Sequence, residues 1–114
     1  MREFIYFQVF EKSWLEMGLA DDDLIELENQ IMENPGIGKV IRGTGGVRKA
    51  RFLLPDNDKG KSGGARILFV DYFSYEKTVM LNAYSKTEKD SITENEKKQL
   101  KRIVEGISKE LKKQ

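Results

Sequence analysis

Lys49 and Arg51 stand two apart in the run Val47-Arg48-Lys49-Ala50-Arg51-Phe52, and Arg66 is second in Ala65-Arg66-Ile67-Leu68-Phe69-Val70, beyond a loop rich in Gly and Lys. Successive side chains of a strand point to opposite faces. As strands, these runs put Lys49 and Arg51 on one face and Ala50 and Phe52 on the other, with Arg66 on a strand able to pair alongside. Three cations on one sheet surface repel one another unless solvent or an anion offsets them. The anion such a set suits is a phosphate: Arg supplies a permanently charged fork and Lys a mobile point charge.

The rest of the composition narrows the chemistry. The chain of 114 residues contains neither Cys nor His. That removes disulfides, thiolate nucleophiles and the commonest general base and zinc ligand, leaving any catalysis to Lys, Arg, Tyr, Ser, Thr or carboxylates. Neither a metal nor another cofactor is called for. The total of 20 basic and 19 acidic residues hides a strong segregation. Residues 1–37 hold nine acids against Arg2 and Lys12, a net −7; residues 38–72 hold eight bases against three acids, a net +5; the remainder is +3. The field near a surface follows local charge, so the anion belongs with the middle of the chain.

The elements that must position the cations can be read coarsely. The length fits a single domain over residues 1–114. Phe4 to Phe10 is aromatic and β-branched and reads as a strand buried on both faces. Ser13-Trp14-Leu15-Glu16 has capping-box spacing for a short helix stopped by Gly18. Asp21-Asp22-Asp23 opens a second helix with an apolar stripe through Leu24, Leu27 and Ile31, ending near Asn34 before Pro35 and Gly36. Residues 36–46 form a glycine-rich connector with room for a short strand. Val47–Leu54, Ala65–Phe73 and Thr78–Tyr84 are strands of an antiparallel meander, the first two joined by the turn-rich loop 55–64 and the last two by Ser74 to Lys77. Thr93 and Glu96 mark a second capping box, opening a helix to about Leu111. The architecture expected is α+β, an antiparallel sheet with two helices from the N-terminal part and one at the C-terminus. No apolar run approaches the ~20 residues of a membrane span, and Met1-Arg2-Glu3 opens no signal peptide, so a cytoplasmic protein without membrane contact is expected.

The glycines invite a nucleotide-loop reading, which the context opposes. Gly43-Thr44-Gly45-Gly46 precedes a strand where the dinucleotide fingerprint must precede a helix. Gly60-Lys61-Ser62 lacks both the upstream glycine spacing of a phosphate loop and the helix that follows one. Both read as backbone turns. The N-terminal aromatics, Trp14 among them, lie in the acidic segment and read as core. Lys49 and Arg51 also have a plain reading as the solvated face of an edge hairpin.

Four ordered blocks carry a resemblance. They are Asn34-Pro35 to Gly38; Ile41-Arg42-Gly43-Thr44-Gly45-Gly46-Val47-Arg48-Lys49-Ala50-Arg51; Lys59-Gly60-Lys61-Ser62-Gly63-Gly64-Ala65-Arg66-Ile67; and Ala83-Tyr84-Ser85-Lys86-Thr87-Glu88-Lys89-Asp90. Over roughly residues 30–105 the series resembles the RelE/HigB toxins of bacterial type II toxin–antitoxin systems, HigB-like in branch. The resemblance implies a small RelE-like microbial RNase fold and cleavage of mRNA in the ribosomal A site. It implies as partners the ribosome and its RNA, and an antitoxin, often a helix-turn-helix protein like HigA, through which alone operator DNA would be met.

Carried onto this chain, the resemblance implies Lys49, Arg51, Arg66 and Lys86 as catalytic residues. Cleavage by the 2′-oxygen needs a proton removed there, charge stabilised at phosphorus and a proton delivered to the leaving 5′-oxygen, a transesterification that requires no metal. Lys49 is then a general base or proton shuttle, Arg51 and Arg66 a phosphate clamp, and Lys86 a phosphate contact or aid to the leaving group. Tyr84 would stack on a base or orient the backbone. Arg48, Lys59, Lys61 and Lys89 would dock RNA. Beyond Lys86 the chain has no Tyr or His of the kind some family members carry, so Tyr84 matters only if it faces the cations; alternation puts it with Asn82 and Lys86. Two other readings remain open: a ParE-like toxin acting on DNA gyrase, and a non-catalytic RNA-binding regulatory module.

Overall fold

A computed structural model describes residues 2–52, 64–85 and 91–114 of the chain. The fold is α+β. Five strands, β1 (Glu3–Tyr6), β2 (Lys39–Val40), β3 (Arg48–Phe52), β4 (Ala65–Tyr72) and β5 (Lys77–Ser85), form one sheet in the order β1-β5-β4-β3-β2. The meander β3-β4-β5 is antiparallel, as its hairpin spacing predicts, and β2 adds antiparallel to β3. β1 lies parallel to β5, so the sheet is mixed and not wholly antiparallel. The helices between β1 and the meander make that parallel return possible, because parallel neighbours need a long crossover.

The N-terminal run departs from its strand reading. β1 ends at Tyr6, and α1 (Gln8–Glu16) begins five residues before Ser13. Phe7 is the turning point: its N–H donates to Met80 O at 3.0 Å, and its carbonyl accepts from Glu11 N at 3.1 Å. The aromatics decide the change. Phe10 and Trp14, four apart, share one face of a helix and stack at 5.5 Å, whereas a strand would set them on one side without that contact. An apolar run alone does not distinguish the two periods. α1 closes where expected, with Gly18 N–H bonded to Leu15 O at 2.9 Å. α2 (Asp21–Glu33) has the acidic trio in its first turn, and the Asp23 carboxylate accepts from Ala20 N–H at 2.9 Å.

Both faces of the sheet are covered. Phe10, Trp14, Leu27 and Ile31 of α1 and α2 pack with Ala50, Phe52, Ile67, Phe69 and Met80 on one side. On the other, Val104 joins Val47, Leu68, Val70, Val79 and Leu81, flanked by Leu100, Ile103 and Ile107 of α3 (Glu94–Lys112). α3 starts at the predicted box: Glu96 N–H donates to Thr93 Oγ1 at 3.1 Å and Thr93 N–H to Glu96 Oε1 at 2.8 Å. Tyr72 fastens it to the sheet through a 3.0 Å bond from its hydroxyl to Val104 O, and burial pushes that phenol above its ordinary pKa, partly opposed by a hydrogen bond with Ser108.

One irregularity sets the geometry at the end of β5. Leu68 pairs with Asn82 and Phe69 with Met80, so Leu81 is an extra residue in β5. Leu81 and Asn82 therefore both lie on the α3 side, and the alternation beyond them is inverted. The strand end at Leu53-Leu54, the loop 55–64 up to Gly63, and residues 86–90 lie outside the described residues.

Candidate active site

β3 places its charges by burying their neighbours. Ala50 and Phe52 are 2% and 1% exposed against α1 and α2, so Lys49 and Arg51 take the α3 side of the sheet. Arg51 pairs directly with Arg66, and Arg66 with Tyr84; in the next row Lys39 pairs with Lys49, Lys49 with Leu68, and Leu68 with Asn82. Directly opposed residues share a face with Cα atoms about 4.5–5.5 Å apart. Lys39, Lys49, Arg51 and Arg66 thus form a compact cationic field across β2, β3 and β4. Two arginines directly across a ladder repel, and an anion lodged between them offsets that repulsion.

Lys39 was not among the sequence candidates. Its signal was the short strand expected in the connector, but only the register of β2 on β3 shows which cation it meets. That register depends on Gly38, whose φ of +82° is unfavourable for other residues and whose Cβ would lie 2.4 Å from Lys49 O. The glycine thus allows β2 to approach the strand that bears the site.

The remaining candidates divide. Tyr84 reaches the cationic side because the bulge at Leu81 restores it to the α3 face, and it is 6% exposed, part of the apolar layer there. Arg48 is on the other face, where its Nη1 donates to Gly36 O at 3.0 Å and to Gly38 O at 3.3 Å, holding the connector beside β3. Lys59, Lys61, Lys86 and Lys89 lie outside the described residues.

The glycine loop before β3 is a support. Thr44, wholly buried, donates from Oγ1 to Ile41 O at 2.7 Å and accepts from Val47 N–H at 3.0 Å, while Ile41 N–H bonds to Val47 O at 2.8 Å. A Cβ on Gly45 would stand 3.4 Å from Val104 Cγ1, so this turn lies directly against α3. Its polar groups are spent on closing the loop and launching β3, in keeping with its reading as a backbone turn.

Charge is also divided by layer. α1 and α2 carry the acids Glu11, Glu16, Asp21, Asp22, Asp23, Glu26, Glu28 and Glu33 on one side of the sheet, and the cationic field faces the other. Among the described residues no helix is long and apolar enough to cross a membrane.

A mixed sheet with helices on both faces and a cationic field across β2, β3 and β4 defines a small α+β protein. The chain matches the family model described as RelE toxin of RelE / RelB toxin-antitoxin system over residues 2–114, and it belongs to that family. It is therefore a toxin of a toxin–antitoxin pair, and an antitoxin is its implied partner.

Proposed function

We propose that this toxin is a ribosome-dependent endoribonuclease that halts translation by cutting mRNA in the ribosomal A site, acting as one folded unit over residues 1–114. The observation that carries the reading is the Arg51–Arg66 pair beside Lys49 and Lys39 on one sheet face. Arg51 and Arg66 hold the non-bridging oxygens of the scissile phosphate and stabilise the charge that grows on them during attack. Lys49 takes or relays the proton of the 2′-hydroxyl as the bond from the 2′-oxygen to phosphorus forms. The bond from phosphorus to the 5′-oxygen breaks, a proton passes to that oxygen, and a 2′,3′-cyclic phosphate and a 5′-hydroxyl result. Lys86 is assigned to the phosphate or the leaving group, and Lys59, Lys61 and Lys89 to ribosomal RNA.

Burial favours the second of the two parts considered for Tyr84. A ring 6% exposed offers little face for stacking, so Tyr84 acts by positioning Arg66 and the RNA backbone. Arg48, bonded to the connector, is assigned to holding β2 in place. The partner is proposed to be a HigA-like helix-turn-helix antitoxin, the chain itself being HigB-like, with operator DNA met only through the antitoxin. A gyrase poison acting by binding has no need of four cations in one field, which favours the nuclease.

Mapping the 5′ ends of cellular mRNA after a short pulse of expression tests the reading. Wild type is expected to leave cuts at fixed positions within codons, and Arg66→Ala to reduce them at least about 100-fold, the scale of removing one transition-state charge contact. Folded Arg66→Ala that cuts at the wild-type rate, or DNA damage preceding any loss of translation, would sink it.

A further inference from the structure

α3 lies on the side of the sheet that bears the cationic field, and it turns Leu100, Ile103, Val104 and Ile107 inward. At about 100° per residue, Lys98, Arg102 and Lys109 fall within about 40° of one another on the opposite face of the helix, with Lys101 and Lys112 along one flank. All five are exposed. The ion pairs that α3 makes among the described residues are Lys97 with Glu94 at 3.0 Å and Lys113 with Glu110 at 3.2 Å, and neither takes a cation of this ridge. Glu105 is the acid between them, with Lys101, Arg102 and Lys109 within about one turn of it, so the local charge stays positive.

Gly106 interrupts the ridge between Arg102 and Lys109. A glycine is the poorest helix former after proline, and the fold does not call for one here. Its φ is not in the left-handed region, and a Cβ at this position would meet nothing within 4 Å. What the glycine provides is a stretch of bare backbone on an exposed, cationic face, where a ligand can come close to the helix.

The make-up of the face selects the ligand. The large exposed apolar side chains of the described residues, Val9, Leu15, Ile25, Met32, Val40, Phe73 and Tyr75, all lie off α3. A protein partner would find no apolar anchor on the ridge. Single-stranded RNA is held by stacking on aromatic rings, and α3 has none. Double-helical RNA keeps its bases inside and presents phosphates and 2′-hydroxyls, which a row of cations on a rigid rod can follow.

We infer that the outer ridge of α3 binds the phosphate backbone of double-helical RNA, on the ribosome a paired segment of ribosomal RNA, while the cationic field of the sheet takes the single-stranded message. Lys98, Arg102 and Lys109 contact phosphates, and the bare backbone at Gly106 admits the sugar–phosphate chain between them. As a ribosome contact the ridge rests on the nuclease reading; as a duplex-binding surface it can be measured without it.

The test is fluorescence anisotropy of the purified toxin on a short, blunt RNA duplex, with co-sedimentation on ribosomes beside it. Lys98→Gln, Arg102→Gln and Lys109→Gln are each expected to make the slope of log K on log salt shallower by about 0.9, and the three together to weaken duplex binding about tenfold or more. Gly106→Gln is expected to raise the melting temperature and yet to weaken duplex binding about threefold, whereas a glycine with no part in binding would change melting alone. Lys12→Gln, a charge removed from the acidic side, serves as the control and is expected to leave duplex binding as it is. All these positions are exposed, so the variants are expected to fold, which thermal melting verifies. Unchanged duplex affinity in the folded triple variant overturns the ridge, as does loss of antitoxin binding with duplex affinity kept, which would give the face to an acidic protein segment. A triple variant that sediments with ribosomes as wild type does overturns the ribosomal contact. If the ridge fails while wild type still cuts ribosome-bound mRNA, the nuclease reading stands without it; if wild type binds duplex through the ridge but cuts no mRNA on ribosomes, the nuclease reading fails and the ridge remains.

Discussion

Tyr6 ties β1 to α2 through a group whose titration bears on the fold. Its hydroxyl donates from β1 to the Glu28 carboxylate of α2, and its ring lies 5.4 Å from that of Phe10. Burial first, then the bond to Glu28 and the nearby negative charge, raises its pKa far above the ordinary phenol value. The folded state therefore keeps the proton where the unfolded chain, with a Tyr pKa of about 10, begins to lose it. Stability from this group is complete below that pH and declines as pH rises above it. Urea midpoints at pH 8 and pH 11 should differ more for wild type than for Tyr6→Phe. The variant should also lose about 1.5–3 kcal/mol at pH 8, the scale of a hydrogen bond to a charged acceptor. Equal alkaline losses in the two proteins would contradict this account.

Among the described elements, β2 is the smallest, and it sets Lys39 beside Lys49 of the site. Replacing Gly38 by Ala puts a Cβ 2.4 Å from Lys49 O at a φ of +82°. The expected cost is about 2–3 kcal/mol in urea unfolding, with cleavage falling because Lys49 and Lys39 shift together. A variant as stable and active as wild type would show that β2 does not support the site. Which elements were legible in the sequence follows from how local their signals are. α2 and α3 declare their starts through Asp21-Asp22-Asp23 and through Thr93 with Glu96, all within one helical turn. The meander was readable from alternation and turn residues. α1 was misread because Phe7 to Phe10 is as apolar as a strand, and the deciding contact, Trp14 against Phe52, is 38 positions distant. For the same reason Lys39 could not be joined to the cationic field before strand register was known, whereas Lys49, Arg51 and Arg66 could.

At the scale of the whole molecule, near-neutral total charge coexists with a strong internal division. The acids of α1 and α2 and the cationic field lie on opposite sides of the sheet, so the potential near each surface follows its local charge more than the total. RNA should thus meet one face and be repelled from the other. For a 2′-O-methyl single-stranded RNA, which cannot be cut, four phosphate contacts predict a slope of log K on log salt of about −3. Lys39→Ala should make that slope shallower by about 0.7. Fluorescence anisotropy from 50 to 200 mM salt measures both, and a slope near zero would remove the cationic field from RNA binding. The acids of α1 and α2 on the opposite face would also disfavour binding back to front.

The extra residue at Leu81 has a consequence for how this protein can change. It is a spare position: without Leu81 the ladder would close regularly, with Asn82 opposite Leu68, Ala83 opposite Ile67 and Tyr84 opposite Arg66, each on the side it now has. This end of β5 can therefore lose one residue at the bulge and keep the surroundings of Arg66, a freedom that an unbulged strand does not have.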